Sequence, residues 1–459
     1  MSSILSRARI RSRAVPRPGD IHLRGWLDPA VVTLALFAMA SGFGQYGAVS
    51  SLGDVAKAFG HMTHGTTIAD EAGLSGTELG VGLAIIRLAS LGGLPLAGLA
   101  DRFGRRTMLL AICTVGLALT VVAAGSPGFW WFVVIFAIGR PPLSATNALS
   151  QVGAAEETGT RDRAKAIGLV AAGYAVGSGI TALLHGLAAS ALGFRGIFAL
   201  AAVPLLGVIL LRNRLVETDR FTVAAASADH PTPVLGAVRR PYLRRLLVVC
   251  LLAFAVSVVT GPANSFVFIY AQNILHLPGV DTSLMVVGAG GVGLVGLLAG
   301  RWLADHVGRR VTGAGATAGL AIAAVIAYSG SHLGLYAGYE LAALSGGCFA
   351  PAAGALANEL FPTSVRASVA GWYVAAGVVG AIVGLVVFGA VADVGQRFAV
   401  GGAVTFLPML LACGLYFLVP ETKGRELEEL WPAGVAGVAA AGGVAGVAGA
   451  GDLHGDDRP

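Results

Sequence analysis

Two arginines stand where charge is hardest to place. Arg87 and Arg140 each lie inside a long apolar run. An ionised side chain at the centre of a bilayer costs roughly 2.5–3.5 kcal/mol even on insertion scales, so it is expected to face a polar interior and to serve a function. A guanidinium is a planar fork matched to a carboxylate. Two of them in one half of the chain imply a cavity of positive potential that receives an anion. Glu340 and His185, also in apolar runs, are the candidates for taking up a proton. Gln45, Tyr46, Asn264, Gln272, Asn273, Tyr339 and Tyr373 are polar groups in or beside such runs and read as cavity lining. The four cysteines, Cys113, Cys250, Cys348 and Cys413, sit in apolar runs without a CxxC pair and read as small buried hydrophobes. No His/Asp cluster has metal-ligating spacing.

The elements that must hold these groups are membrane helices. Of 459 residues, 55% are apolar and 12% charged, against roughly 25% charged in soluble chains. The 67 glycines suit helices that pack closely in lipid. Twelve runs approach the roughly 20 residues needed to span: 30–52, 79–98, 107–125, 128–150, 165–187, 196–212, 246–270, 284–303, 311–330, 333–355, 367–391 and 398–419. Lipid offers no partner for exposed backbone polar groups, so the runs are helices.

Basic residues set the orientation. The loops on one side hold only Lys57, Arg195 and Arg397; apart from Arg87 and Arg140, the rest of the 31 lysines and arginines fall on the other. The positive-inside rule then puts both termini in the cytoplasm. The net charge of +6 is a membrane-surface signal, and no nucleic acid is expected.

The string Leu-Ala-Asp-x-x-Gly-Arg-Arg occurs at 99–106 and again at 303–310, each time between two apolar runs. Glu156 and Arg163 recur as Glu359 and Arg366, and Val216-Glu-Thr218 recurs around Glu421-Thr422. Three landmarks repeated in order mark a duplicated membrane unit. The expected domains are a basic tail (1–29), a first six-helix bundle (30–212), a linker with Pro231, Pro233 and Pro241 (213–245), a second bundle (246–420), and a tail (421–459) that is Gly/Ala/Val low complexity from 432.

The repeated string, with Gly98 ahead of its first copy, resembles the signature loop of the major facilitator superfamily. Gly139-Arg140, Glu157 and Arg163, the stretch Glu359-Leu-Phe-Pro-Thr-Ser-Val-Arg366, and Pro420-Glu-Thr-Lys-Gly424 resemble its sugar-porter and metabolite-symporter branches. The resemblance implies an all-α membrane protein of two pseudo-symmetric six-helix bundles. It implies an inner gate built from Gly98, Asp101, Gly104, Arg105, Arg106, Asp305, Gly308, Arg309 and Arg310, with Glu157, Arg163, Glu217, Glu359, Arg366 and Glu421. Gly104 and Gly308 would supply permissive turns. Asp101 and Asp305 would cap neighbouring helix starts. The arginines would pair with carboxylates of the other bundle and hold the cytoplasmic side shut.

The chain departs from the branch patterns at informative places. Gly44 stands where the symporters have a proton-carrying Asp, Val258 and Val259 where sugar porters have paired glutamines, and no proline lies between Arg163 and Arg195 as in drug antiporters. The expectation is a transporter of a small polar metabolite, preferably an organic anion, in the cell membrane. It would work by alternating access and as a monomer. A sugar carrier, a drug antiporter and a nutrient sensor on the same fold are the alternatives. No P-loop, HExxH or GxSxG occurs, so an enzyme is not expected. No cofactor is expected; a co-transported proton is the one small partner besides the solute.

Overall fold

The computed structural model describes residues 24–61, 68–159, 161–215, 240–361, 363–395 and 397–423. The basic tail, most of the linker with Glu217, the low-complexity tail, and the side chains of Asp101 and Arg366 lie outside that description.

Asp28 opens the first helix: its carboxylate accepts the Ala30 N–H at 2.9 Å, with Pro29 at the first helical position. We number twelve long helices. α1 is Pro29–Ser50, followed by a short helix Leu52–Phe59. α2 runs from Gly76 to Phe103 through a 3₁₀ turn at Ser90–Gly92. α3 is Arg105–Ala123 and α4 is Phe129–Glu157. α5 and α6 meet without a loop. Helix Arg163–Ala199 is broken at Gly193 (φ 59°, ψ −177°), and α6 continues through Ala202–Leu211. α7 is Arg240–Ser265, α8 Gly279–His306, α9 Arg309–Ala327, α10 His332–Glu359 and α11 Thr363–Val394. α12 is assembled from Phe398–Phe406, Met409–Ala412 and a 3₁₀ segment Cys413–Leu418.

Among the described residues, ten segments are long and apolar enough to cross a membrane. One of them, Arg163–Leu211, is α5 and α6 taken together, and α10 completes the twelve. Each apolar run of the sequence falls on one of these helices. The run 246–270 is broken once: Pro262 removes a backbone donor within α7, the helix stops at Ser265, one turn resumes at Val267–Ile269, and a π-turn follows at Tyr270–Ile274.

The duplication is visible in the packing. α1 lies on α5 and α3 on α4; six helices later, α7 lies on α11 and α9 on α10. Both α1–α5 and α7–α11 depend on missing side chains. A Cβ at Gly177 would overlap the Met39 carbonyl, and one at Gly384 the Val258 carbonyl. Lipid tails give helices no hydrophobic reason to associate, so such backbone contact does the holding. Between the halves, α2 meets α11 and α5 meets α8. The repeated turns use their glycines at φ 89° (Gly104) and φ 120° (Gly308), a region costly for any side chain. The side carrying these turns is termed inner, and the opposite side outer.

Candidate functional site

Arg87 and Arg140 come together at mid-depth. Each lies eleven residues from the outer start of its helix, Gly76 and Phe129, or about 16 Å at helical rise, half of a bilayer core roughly 30 Å thick. α2 changes to a 3₁₀ turn there, and α4, though unbroken, loses backbone donors. α4 carries Pro141-Pro142 directly after Arg140, and the 3₁₀ turn of α2 packs its Gly92 against Pro141. Arg140 donates Nη1–H to the Gln45 carbonyl at 3.1 Å, while its buried Nε has no partner. The Arg87 side chain makes no hydrogen bond or ion pair to any described residue. The two guanidiniums are within electrostatic reach of each other and of the Tyr174 phenol on α5. The phenols of Tyr46 of α1 and Tyr339 of α10 approach each other above them, bridging the halves. Tyr46 also meets Phe268 edge-on at 6.3 Å.

Sequence reasoning named Arg87, Arg140, Tyr46 and Tyr339 and missed Tyr174. A tyrosine among the glycines of α5 has no motif around it; being a polar aromatic inside a span was the only signal.

Other expected lining residues are placed elsewhere. Gln45 turns its amide into the α1–α4 contact, donating to Ser41 Oγ at 2.8 Å; only its carbonyl reaches Arg140. Asn264 is exposed and donates to Thr260 of its own helix. Tyr373 lines a small apolar cavity within the second half, with Val249, Phe349 and Tyr416. Gln272 and Asn273 follow the break in α7 to the outer end. The Asn273 amide oxygen lies against Gly53 and the Gln272 amide nitrogen near Gly279. Both amide nitrogens are buried without partners.

The two proton candidates also separate. Glu340 turns into the groove between α10 and α8, opposite Gly288, with Oε2 buried and unpartnered. His185 is 1% exposed; its Nε2 lies 2.8 Å from Asp54 Oδ2, and its ring meets Phe268 edge-on. This pair borders the outer seam, where the halves bind each other. Ser283 of α8 donates to the Ala182 carbonyl of α5 at 2.6 Å. Asp393 of α11 accepts from the N–H groups of Gly76 and Thr77 on α2.

On the inner side, among the described residues, Arg105 pairs with Glu156, and Arg309 with Glu359 at 3.3 Å. Each of these pairs fastens neighbouring helices of one half, α3 to α4 and α9 to α10, while the expected gate members Glu217, Asp101 and Arg366 have side chains outside the described residues. Glu157 is one residue off the expected role and pairs with Arg24 at 2.9 Å. Arg163 donates to the Ala155 carbonyl. Asp305 is a distant 3.8 Å partner of Arg309 and does not cap a helix.

The cap comes from Glu421, whose carboxylate accepts from the N–H groups of Arg309 (3.0 Å) and Arg310 (3.1 Å) at the start of α9. Burial alone would push this carboxyl up. The backbone donors of Arg310, Lys423, Arg309 and Thr422 outweigh burial and hold it below the usual 4.5. Gly308 leaves room for it, since a Cβ there would lie 2.8 Å from Oε2. Arg310 then donates to the carbonyls of Tyr416 and Phe417, as Arg106 does to that of Arg212. Gly98 has open space around it.

Comparison with known proteins gives a consistent family. The model of the Major Facilitator Superfamily matches residues 34–339 and 291–448. A protein of Haemophilus influenzae named as a metabolite transporter is 27% identical over 365 residues, covering 74% of this chain and 86% of its own. The cis,cis-muconate transport protein of Acinetobacter baylyi is 26% identical over 355 residues, covering 71% and 84%. Among solved structures, the inward open xylose transporter of E. coli superposes with a TM-score of 0.68 at 19% identity, covering 87% of this chain and 98% of that one.

Proposed function

The chain belongs to the Major Facilitator Superfamily, and from that premise we propose that it carries a small organic anion across the cell membrane by alternating access. The observation that carries this reading is the pair Arg87 and Arg140, two mid-depth guanidiniums with donors unspent and no carboxylate among the groups acting on them. A positive site in a low-dielectric wall attracts and orients an anion. The muconate transporter, whose named solute is a carboxylate, supports the same class.

In this reading the outer seam and the inner side open in turn. The solute binds under the Tyr46–Tyr339 bridge, which must part for access from outside. The concentration of lysine and arginine in the loops of one side supports both termini lying in the cytoplasm. One chain encloses the whole site and works as a monomer.

Counterflow in proteoliposomes tests the reading. Carboxylic acids should exchange, and neutral sugars and lipophilic cations should not compete. Arg140→Ala should lower exchange by roughly 100-fold, the order expected when one partner of a buried charge pair is removed. Unchanged exchange in that variant, or competition by xylose alone, would refute it.

A further inference from the structure

The charge at the site is a count that the solute has to match. Among the described residues, Arg87 and Arg140 are the only ionised side chains at mid-depth in the first half, and both are positive. The acids of residues 29–212 all lie at or beyond helix ends, from Asp54 and Glu78 on the outer side to Glu156 and Asp162 on the inner. In the second half Glu340 has comparable depth, but it turns toward Gly288 of α8. The groups acting on Arg140 are Tyr174 and Arg87, with Glu340 absent from them.

The donors are divided as well. Arg140 commits one Nη1 to the Gln45 carbonyl and keeps a buried, unpartnered Nε. The edge formed by Nε and the second Nη can take one carboxylate in bidentate fashion. Arg87 has its entire fork unspent. Tyr46, Tyr174 and Tyr339 add hydroxyls without adding charge. While the site is open to water, both guanidiniums are solvated. Once the site is occluded they are not, and a monoanion would leave one charge buried without compensation.

We propose that the solute is a dicarboxylate, with one carboxylate on the Arg140 edge and the other on Arg87, flanking the Tyr174 phenol. This rests on the organic-anion reading and sharpens it. A phosphate monoester is also a dianion, but it gathers both charges on one centre and would leave the two forks competing for it.

The test is competition of counterflow by straight-chain dicarboxylic acids of four to six carbons, by their monomethyl esters, and by inorganic phosphate. The wild-type protein should prefer each diacid over its monoester by about 100-fold. Arg87→Gln should bring that ratio close to one while monoesters still bind, and Arg87→Lys should keep much of the preference. Thermal protection by the same acids reads binding where a variant transports poorly. Equal affinity for diacid and monoester in the wild type would overturn the dicarboxylate and leave an organic anion standing. Competition by phosphate above every diacid would overturn it too. No response to any anion would remove the parent reading as well.

Discussion

Asp393 caps a helix that belongs to the other half of the molecule. Its carboxylate accepts from Gly76 N–H at 2.7 Å, Thr77 N–H at 2.8 Å and Thr77 Oγ1–H at 2.5 Å. Ser75 takes the next donor, Glu78 N–H, from within α2. The helix start thus depends on α11 for two of its free donors, and the positive end of its dipole faces the negative charge.

Asp393→Asn should therefore loosen the outer side. A charged cap contributes about 1 kcal/mol, so the outward-open population should rise roughly fivefold. Spin-label distances between the outer ends of α2 and α11 would measure it. An unchanged distance distribution would show that the cap does not hold the seam.

The same seam is intolerant of bulk. A Cβ at Gly80 would overlap the Leu385 carbonyl of α11, whereas Gly168 has nothing within 4 Å. Gly80→Val should hold the outer side open and abolish turnover while leaving solute binding from outside. Gly168→Ala should behave as wild type. Reactivity of an introduced outer-vestibule cysteine, read beside transport, separates a blocked seam from a misfolded protein.

Glu421 ties the segment after α12 to the start of α9 through the N–H groups of Arg309 and Arg310, and accepts two more from Thr422 and Lys423 of its own segment. Its carboxyl is held below the usual value. The stabilisation is therefore complete above the usual carboxylate range and is lost as pH falls through the lowered value. Glu421→Gln should remove it at every pH, flattening the acid limb of melting temperature between about pH 5 and 3 relative to wild type. An acid limb identical in the two proteins would contradict the cap.

His185 is the expected proton carrier that the fold gives a partner. With Gln at 185 the amide can still donate to Asp54, whereas Ala leaves that carboxylate without this partner. His185→Gln should retain counterflow and His185→Ala should lower it several-fold, about 1 kcal/mol being the scale of one such bond. Equal counterflow in the two variants would acquit the His185–Asp54 contact.

Much of the architecture was legible because bilayer physics leaves few choices. Apolar runs become helices, basic loops share a side, and a repeated string marks a repeated half. Arg87 and Arg140 were legible for the same reason. What spacing does not encode is direction. The repeat that equates Glu156 with Glu359 pointed to the partner of Arg105, whereas the motif resemblance pointed one residue on, to Glu157, and one residue turns a helix by about 100°. Gln45 sits at the site by its carbonyl while its amide points elsewhere. Gln272 and Asn273 lie at the outer end in the π-turn Tyr270–Ile274, whose wider winding aims side chains where an α-helical reading would not. Tyr174 and Asp393 act on groups far away in sequence, and only the packing of α5 beside α4, and of α11 beside α2, reveals them.

The loop-free junction at Gly193 makes a lever of two helices. α5 grips the opposite half through Ser283, and α6 begins where Arg195 clasps the carbonyls of Ala124 and Ser126 beyond α3. A pull on one end of this assembly is felt at once by the other. In the proposed cycle, parting of the halves would accordingly swing α3, α5 and α6 as a single block, leaving no slack for the solute to leak past one helix at a time.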